Sequence, residues 1–204
     1  MCKRSNPSSA LERIYLTLDS QSWIDLKLVS DDEGFSLSEF EGLWALKPEN
    51  KATIVICGKR IECPRYTRNY LTEYTFSGVK NEVSPMPTVL ERLLAYSRRT
   101  WPNLNQCLVN WYEAAGSIGR HADDEKQIVK GSDIHSWTFG PAERFFVLDA
   151  KDGTRKIKVK VSHNTLIVMG GKTQETYFHQ VPKKTAPSRA DNERRINVTF
   201  REFC

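Results

Sequence analysis

His121 and Asp123 stand two residues apart in Gly119-Arg120-His121-Ala122-Asp123-Asp124-Glu125, and a second imidazole, His179, follows in Tyr177-Phe178-His179-Gln180. On a strand, or at its extended end, an H-x-D pair directs both side chains to the same side. Two imidazoles and one carboxylate are the donor set of a non-haem Fe(II) centre, which keeps positions open for a co-substrate and O2. The competing reading is a pair of core histidines satisfied by backbone carbonyls, and these three residues alone do not separate the two. The segment Arg195-Ile196-Asn197-Val198-Thr199-Phe200-Arg201 adds a second constraint. Alternation puts Arg195, Asn197, Thr199 and Arg201 on one face and Ile196, Val198 and Phe200 on the other. Two arginines facing a barrel interior are unfavourable unless they meet carboxylates, which a dicarboxylate ligand supplies. An edge strand with solvated arginines would leave the uniformly apolar opposite face unexplained.

Helices and strands must hold these residues in place. Ser9-Ala10-Leu11-Glu12 and Ser36-Leu37-Ser38-Glu39 match the S-x-x-E capping box. Leu11, Ile14, Tyr15 and Leu18 follow the first at helical spacing, and Phe40, Leu43, Trp44 and Leu46 follow the second, which Lys47-Pro48 closes. The acidic stretch Asp31-Asp32-Glu33-Gly34 reads as a loop or linker, so the compact domain is expected over residues 36–204, with 1–35 an extension of unassigned role. Thr53 to Ile56 reads as a strand, with Gly58 turning the chain toward Ile61 and Cys63. Thr88-Val89-Leu90-Glu91 is a third capping box, starting a helix with Val89, Leu90, Leu93 and Leu94 on one face. Short β-like runs follow: Gln106 to Trp111, Ser136 to Phe139, Arg144 to Leu148, Ile157 to Val161, Thr165 to Met169 and Ile196 to Phe203. Asp152-Gly153 marks a tight hairpin. Helices followed by at least six strands argue for an α+β fold with an antiparallel barrel or sandwich as its body.

With 204 residues, 39% hydrophobic and 27% charged, the composition suits one globular domain. Apolar runs such as Thr53 to Cys57 and Thr165 to Met169 fall far short of the roughly 18 residues a membrane span needs. The basic start lacks an apolar run and a small-residue cleavage site, which argues against secretion. Five cysteines with no C-x-x-C pair fit neither a disulfide framework nor a zinc knuckle, so a reducing, intracellular compartment is expected. Residues 1–50 hold 5 basic and 9 acidic side chains, whereas 51–204 hold 25 basic and 16 acidic. The basic excess thus lies wholly in the second segment and favours a polyanion such as nucleic acid, the alternative being a solvated surface.

In order along the chain, Asn110-Trp111-Tyr112, His121-Ala122-Asp123, His179 and Arg195 through Arg201 reproduce N-x-Y, H-x-D, a distal His and R-x-N-x-T-x-R. In this the sequence resembles the AlkB family of Fe(II)/2-oxoglutarate dioxygenases over residues 36 to 203. The resemblance implies a double-stranded β-helix (jelly-roll) core with N-terminal helices and a nucleotide-recognition lid. It implies His121, Asp123 and His179 as iron ligands, and Arg195 as the bidentate partner of the distal carboxylate of 2-oxoglutarate, a role lysine cannot reproduce. Arg201 would lie near the keto-acid end and Asp123. Asn110 and Tyr112 would add neutral hydrogen bonds, and Asn197 and Thr199 complete the co-substrate pocket. The implied reaction consumes O2 and 2-oxoglutarate, gives succinate and CO2, and hydroxylates an N-methyl group that is then lost as formaldehyde.

The implied substrate is an alkylated base of DNA or RNA, of the 1-methyladenine or 3-methylcytosine type, handled by a monomer. Tyr74-Thr75-Phe76-Ser77-Gly78 is similar to the segment lining the family's base pocket. Phe76 and His121 would sandwich a base taken out of the stack, and Asp124 and Glu125 would favour a cationic methylated ring. Ordinary core packing is the alternative for Tyr74 and Phe76, and a solvated turn for Asp124 and Glu125. Ile56-Cys57-Gly58-Lys59-Arg60 resembles the family's duplex-probing hairpin, but Cys57 replaces the aromatic wedge, which favours single strands or RNA over duplex DNA. Lys59, Arg60, Arg65 and Arg68 could grip phosphates, and Arg155, Lys156, Lys158 and Lys160 could extend that track; edge-strand lysines that prevent sheet pairing are the other reading. His163 reads as a turn or core histidine. Two rival functions stay open: the same iron chemistry on a protein side chain, and a nucleic-acid-binding module without turnover.

Overall fold

Two sheets, antiparallel but for one edge pair, face one another, and period-2 alternation decides what each strand gives to the space between them. The computed structural model describes residues 11–56, 59–76, 79–81, 83–113, 116–183 and 193–204, without the side chains of 54–56, 59, 60, 74–76 and 79–81. The described residues begin with β1 (Glu12–Tyr15) and β2 (Ser22–Leu28), then α1 (Leu37–Ala45) and the hairpin β3 (Thr53–Ile56) and β4 (Lys59–Glu62). Next come β5 (Tyr66–Tyr70), the pair β6 (Tyr74–Phe76) and β7 (Val79–Asn81), β8 (Val83–Ser84) and α2 (Thr88–Ser97). The body follows as β9 (Gln106–Tyr112), β10 (Ile118–His121), β11 (Ile134–Phe139), β12 (Arg144–Ala150), β13 (Lys156–Val161) and β14 (Thr165–Gly171). A single turn, α3 (Thr173–Thr176), leads to β15 (Tyr177–Val181), and β16 (Arg195–Arg201) ends the series.

The major sheet has eight strands in the order β1-β2-β14-β11-β16-β9-β5-β8, and the minor sheet four, β10-β15-β12-β13. Between the sheets pack Ile24, Ile134, Ile167 and Met169 from one and Phe146, Leu148, Val159, Val161 and Tyr177 from the other. Behind the major sheet lies a second core, in which Phe40 and Leu43 of α1 and Leu90, Leu93 and Leu94 of α2 cover Trp111, Trp137, Phe139, Ile196, Val198 and Phe200. The apolar face of β16 is therefore a helix-covered face, and its polar face looks between the sheets. Trp137, fully buried, donates from its indole to Ser97 Oγ at 3.0 Å. This facing-sheet arrangement is the jelly roll expected. Among the described residues no helix is long and apolar enough to cross a membrane.

Three expectations change. Residues 12–15 are a strand, not a helix: Arg13 pairs with Asp25 at 2.6 Å and lies 3.8 Å over the Trp23 ring, while Leu18 is fully exposed. Because β2 pairs with β14 over seven residues, the sheet starts at residue 12 and the boundary expected at 36 is not a boundary of the fold. Thr88 is the first helical residue of α2, preceded by Pro87 as N-cap, so its hydroxyl makes no cap bond. The Ser36 box does form: Glu39 N donates to Ser36 Oγ at 3.3 Å and Ser36 N to Glu39 Oε2 at 2.8 Å. Arg92 of α2 reaches Glu39 at 2.7 Å and, chiefly by that bond, holds its carboxyl at about 2, tying the helices together.

Candidate active site

Strand ends deliver the donor set. His121 closes β10, where it is the register partner of His179 on β15, and Asp123 follows two residues later. The two imidazole centroids are 4.1 Å apart, and the ligand atoms of His121, Asp123 and His179 all lie within 4.8 Å of one another. His121 donates from Nδ1 to Gly119 O at 2.8 Å, since a carbonyl can only accept, which leaves Nε2, 3.7 Å from Asp123 Oδ1, as the ring nitrogen turned to the cluster. His179 is buried and stacks on Phe146, 5.4 Å between centroids. Burial first, and then His121, push its pKa down to about 3, so it presents neutral nitrogen. For Asp123 burial acts upward, but Arg201 together with His179 and His121 outweighs it and holds the carboxyl at about 2. The cluster thus offers two imidazoles, that of His179 neutral, and one carboxylate, donor types that suit a metal.

Neighbouring side chains fix the carboxylate. Arg201 donates to Asp123 Oδ2 from Nη2 at 2.9 Å and Nε at 3.1 Å, and the Asp123 backbone N donates to Gln174 Oε1 at 2.9 Å. Gln174 comes from α3, where nothing in the sequence marks it. Gln106 accepts from Arg201 Nη1 at 3.2 Å and was equally invisible.

The rest of the inward face of β16 behaves as its pattern predicts. Arg195, at 2% exposure, lies 4.0 Å over the Tyr112 ring, and its Nε and Nη2 have no hydrogen-bond partner among the described residues. Burial chiefly lowers its pKa, with Arg144 adding to the effect and Tyr112 opposing it. A buried guanidinium with two idle donors is the feature of a site built for an anion. Asn197 donates to Ser136 Oγ at 2.9 Å and Trp137 O at 2.8 Å, and Thr199 to Asn197 Oδ1 at 3.1 Å. Asn110 accepts from Arg65 Nε at 2.9 Å and Thr67 Oγ1 at 3.1 Å. One cavity contains all of these: its lining includes Arg65, Asn110, Tyr112, His121, Asp123, Glu125, His179, Arg195, Asn197, Thr199 and Arg201.

Other expected residues lie elsewhere. Asp124 is exposed and does not line the cavity, whereas Glu125 does. Tyr74 and Phe76 are on β6, with side chains outside the described set, as are those of Lys59 and Arg60; Cys57, Gly58, Ser77 and Gly78 are outside it altogether. The basic track along β13 is mostly engaged within the chain. Arg155 donates to Leu16 O at 2.9 Å, Lys156 meets Asp149 at 2.9 Å and Lys160 meets Glu143 at 2.8 Å. His163 accepts from Gly140 N at 3.0 Å and bonds Phe35 O at 2.8 Å; it is half-buried in the turn between β13 and β14, the turn alternative of the two expected.

The chain matches the 2OG-Fe(II) oxygenase superfamily over residues 49–201. It is 34% identical over 169 residues to DNA oxidative demethylase ALKBH2 of Homo sapiens, covering 74% of this chain and 61% of that protein. It is 33% identical over 151 residues to alpha-ketoglutarate-dependent dioxygenase alkB homolog 3 of Rattus norvegicus, covering 68% of this chain and 50% of that protein. The chain thus spans about half to three fifths of these two relatives. Its fold is like that of OsALKBH1, with a TM-score of 0.58 at 20% identity over 88% of this chain and 96% of that one. A 2OG-Fe(II) family oxidoreductase from Burkholderia pseudomallei gives 0.53 at 17% identity over 81% and 77%. The superfamily's Fe(II), 2-oxoglutarate and O2 fit the residues present: an imidazole and carboxylate donor set, and beside it a buried cation with two donors unused among the described residues. The sequence match and the site agree, and the chain belongs to the 2OG-Fe(II) oxygenase superfamily as an AlkB-like member.

Proposed function

We propose that the protein is a dioxygenase that removes N-linked methyl groups from nucleobases of DNA or RNA, of the 1-methyladenine or 3-methylcytosine type. The observation that carries this reading is the enclosure, in one cavity, of the His121–Asp123–His179 cluster with the guanidinium of Arg195, whose Nε and Nη2 meet no partner among the described residues. Bound Fe(II) and 2-oxoglutarate supply oxidation of a C–H bond by O2, with succinate and CO2 released. Hydroxylation of the N-methyl carbon gives a hemiaminal, which breaks its C–N bond to leave formaldehyde and the restored base.

In this reading His121, Asp123 and His179 hold the iron, and Arg201 keeps Asp123 ionised. Arg195 takes the distal carboxylate of 2-oxoglutarate, with Tyr112 beneath the guanidinium; Asn110, Asn197 and Thr199 form the walls. Tyr74 and Phe76 on β6 stack against the extruded base, and Glu125, from the cavity wall, favours a ring made cationic by methylation. Asp124, being exposed, contacts the strand rather than the base. With Arg155, Lys156 and Lys160 engaged internally, phosphate binding falls to Arg65 and the basic residues of β4. The three cysteines described as free, Cys63, Cys107 and Cys204, agree with a reducing intracellular setting. The working unit is a monomer, with β1 and β2 belonging to the same sheet as the site.

The test is formaldehyde release from 1-methyladenine and 3-methylcytosine placed in single-stranded DNA, duplex DNA and RNA. Release from at least one is expected. Silence on all three, with succinate still formed on a methylated peptide, would transfer the activity to protein side chains.

A further inference from the structure

A buried line of hydrogen bonds leaves the site in a direction the co-substrate does not need. Arg201 Nη1 donates to Gln106 Oε1 at 3.2 Å, Gln106 Nε2 donates to Asn69 Oδ1 at 2.9 Å, and Asn69 Nδ2 donates to Thr72 O at 2.7 Å. Gln106 is 0% exposed and Asn69 2%. The line ends on a strained turn. Leu71 has φ of 74°, in the left-handed region that a leucine avoids, and Thr72 N donates to Tyr70 O at 3.1 Å across it. Thr72 Oγ1 adds a 2.6 Å bond to Asn105 O, next to Gln106 in the chain. Two residues later β6 begins.

We propose that Asn69 and Gln106 are a positioning pair that couples the turn launching β6 to the carboxylate of Asp123. The proposal rests on the iron-ligand assignment made above. Each amide uses both of its ends: Gln106 accepts from the arginine that holds Asp123 and donates to Asn69, and Asn69 accepts that bond while holding the turn. A backbone conformation of this kind persists only where its surroundings over-determine it. Here the surroundings lead, through two amides, to Arg201 and one oxygen of Asp123. Apolar residues would fill the same interior positions without the demand that every buried polar atom be paired. Metal binding, by fixing Asp123, fixes Arg201 and Gln106, and so stiffens the turn from which β6 springs.

Mn(II), a redox-silent probe, separates this from a merely structural role. Its affinity is read by titration, and amide hydrogen exchange of residues 71–76 is read with and without Mn(II) plus 2-oxoglutarate. In the wild-type protein, metal is expected to slow exchange at 71–76. Gln106→Leu removes both bonds: Mn(II) affinity falls about tenfold, the size of effect seen when partners of metal ligands are removed, and the metal-dependent protection disappears. Gln106→Glu keeps an acceptor for Arg201 but has no N–H for Asn69, so affinity stays close to wild type while protection is lost. Circular dichroism confirms that both variants fold. Wild-type affinity and protection in Gln106→Leu would overturn the proposal, as would 71–76 amides that ignore metal in the wild-type protein. Failure of the wild-type protein to bind Mn(II) would instead remove the ligand assignment, and the proposal with it.

Discussion

Arg201 spends two donors, Nε and Nη2, on the single oxygen Oδ2 of Asp123, and so leaves Oδ1, 3.7 Å from His121 Nε2, facing the imidazoles. The guanidinium thereby selects which carboxylate oxygen is available to a metal. Lysine carries the charge but not the fork. Arg201→Lys is expected to weaken Fe(II) binding about 10-fold or more, measured by anaerobic titration. Unchanged affinity would show that Asp123 orients itself.

Arg195 makes a parallel prediction for the co-substrate. Its Nε and Nη2 are buried without partners among the described residues, and truncating one side of a buried charge pair costs about 2–5 kcal/mol. Arg195→Ala should raise the 2-oxoglutarate concentration for half-saturation on the order of 100-fold and leave Mn(II) affinity nearly intact. A wild-type dependence on 2-oxoglutarate would exclude Arg195 from the carboxylate site.

His179 carries the spectroscopic prediction. Anaerobic Fe(II) with 2-oxoglutarate should give a weak visible charge-transfer band in the wild-type protein, and His179→Ala should abolish it. Persistence of the band would mean that another group completes the donor set.

Outside the cavity lining, Asp133 makes stability depend on pH. Burial first, then the charge of Asp25, raise its pKa from 3.8 to about 6, with Arg13 opposing. A group whose pKa is raised on folding contributes its stability below the unfolded value, near pH 4, and loses it as the pH climbs through 6. Asp133→Asn should therefore raise stability at pH 7.5 by roughly 1–3 kcal/mol, and the gain should vanish near pH 4. Denaturant unfolding at the two values measures it; an equal gain at both would assign the effect to packing.

The residues gathered in the cavity were legible because each sits in a local pattern: H-x-D at a strand end, and alternation along β16 that the helix layer then explains. The first helix was misread because Leu11, Ile14, Tyr15 and Leu18 satisfy helical spacing, whereas Arg13 finds Asp25 and Trp23 only through pairing with β2. Gln106, Asn69 and Gln174 were invisible for a related reason. Single amides carry no spacing signal, and it is strand register that sets Gln106 opposite Arg201. The same register places Lys156 opposite Asp149, so lysines that look like a phosphate track along the chain find a carboxylate across the ladder.

The place of β16 in its sheet bears on how the protein is made. β16 lies between β11 and β9, while β2 pairs with β14, some 140 positions along the chain. On a ribosome, the early strands emerge long before their neighbours exist, and the slot at the middle of the major sheet stays empty until residues 195–201 arrive. Such non-local pairing is slow and leaves unpaired edges exposed meanwhile. Because β16 also brings Arg195 and Arg201, completion of the sheet and completion of the site are one event, and a chain stalled before residue 195 has neither.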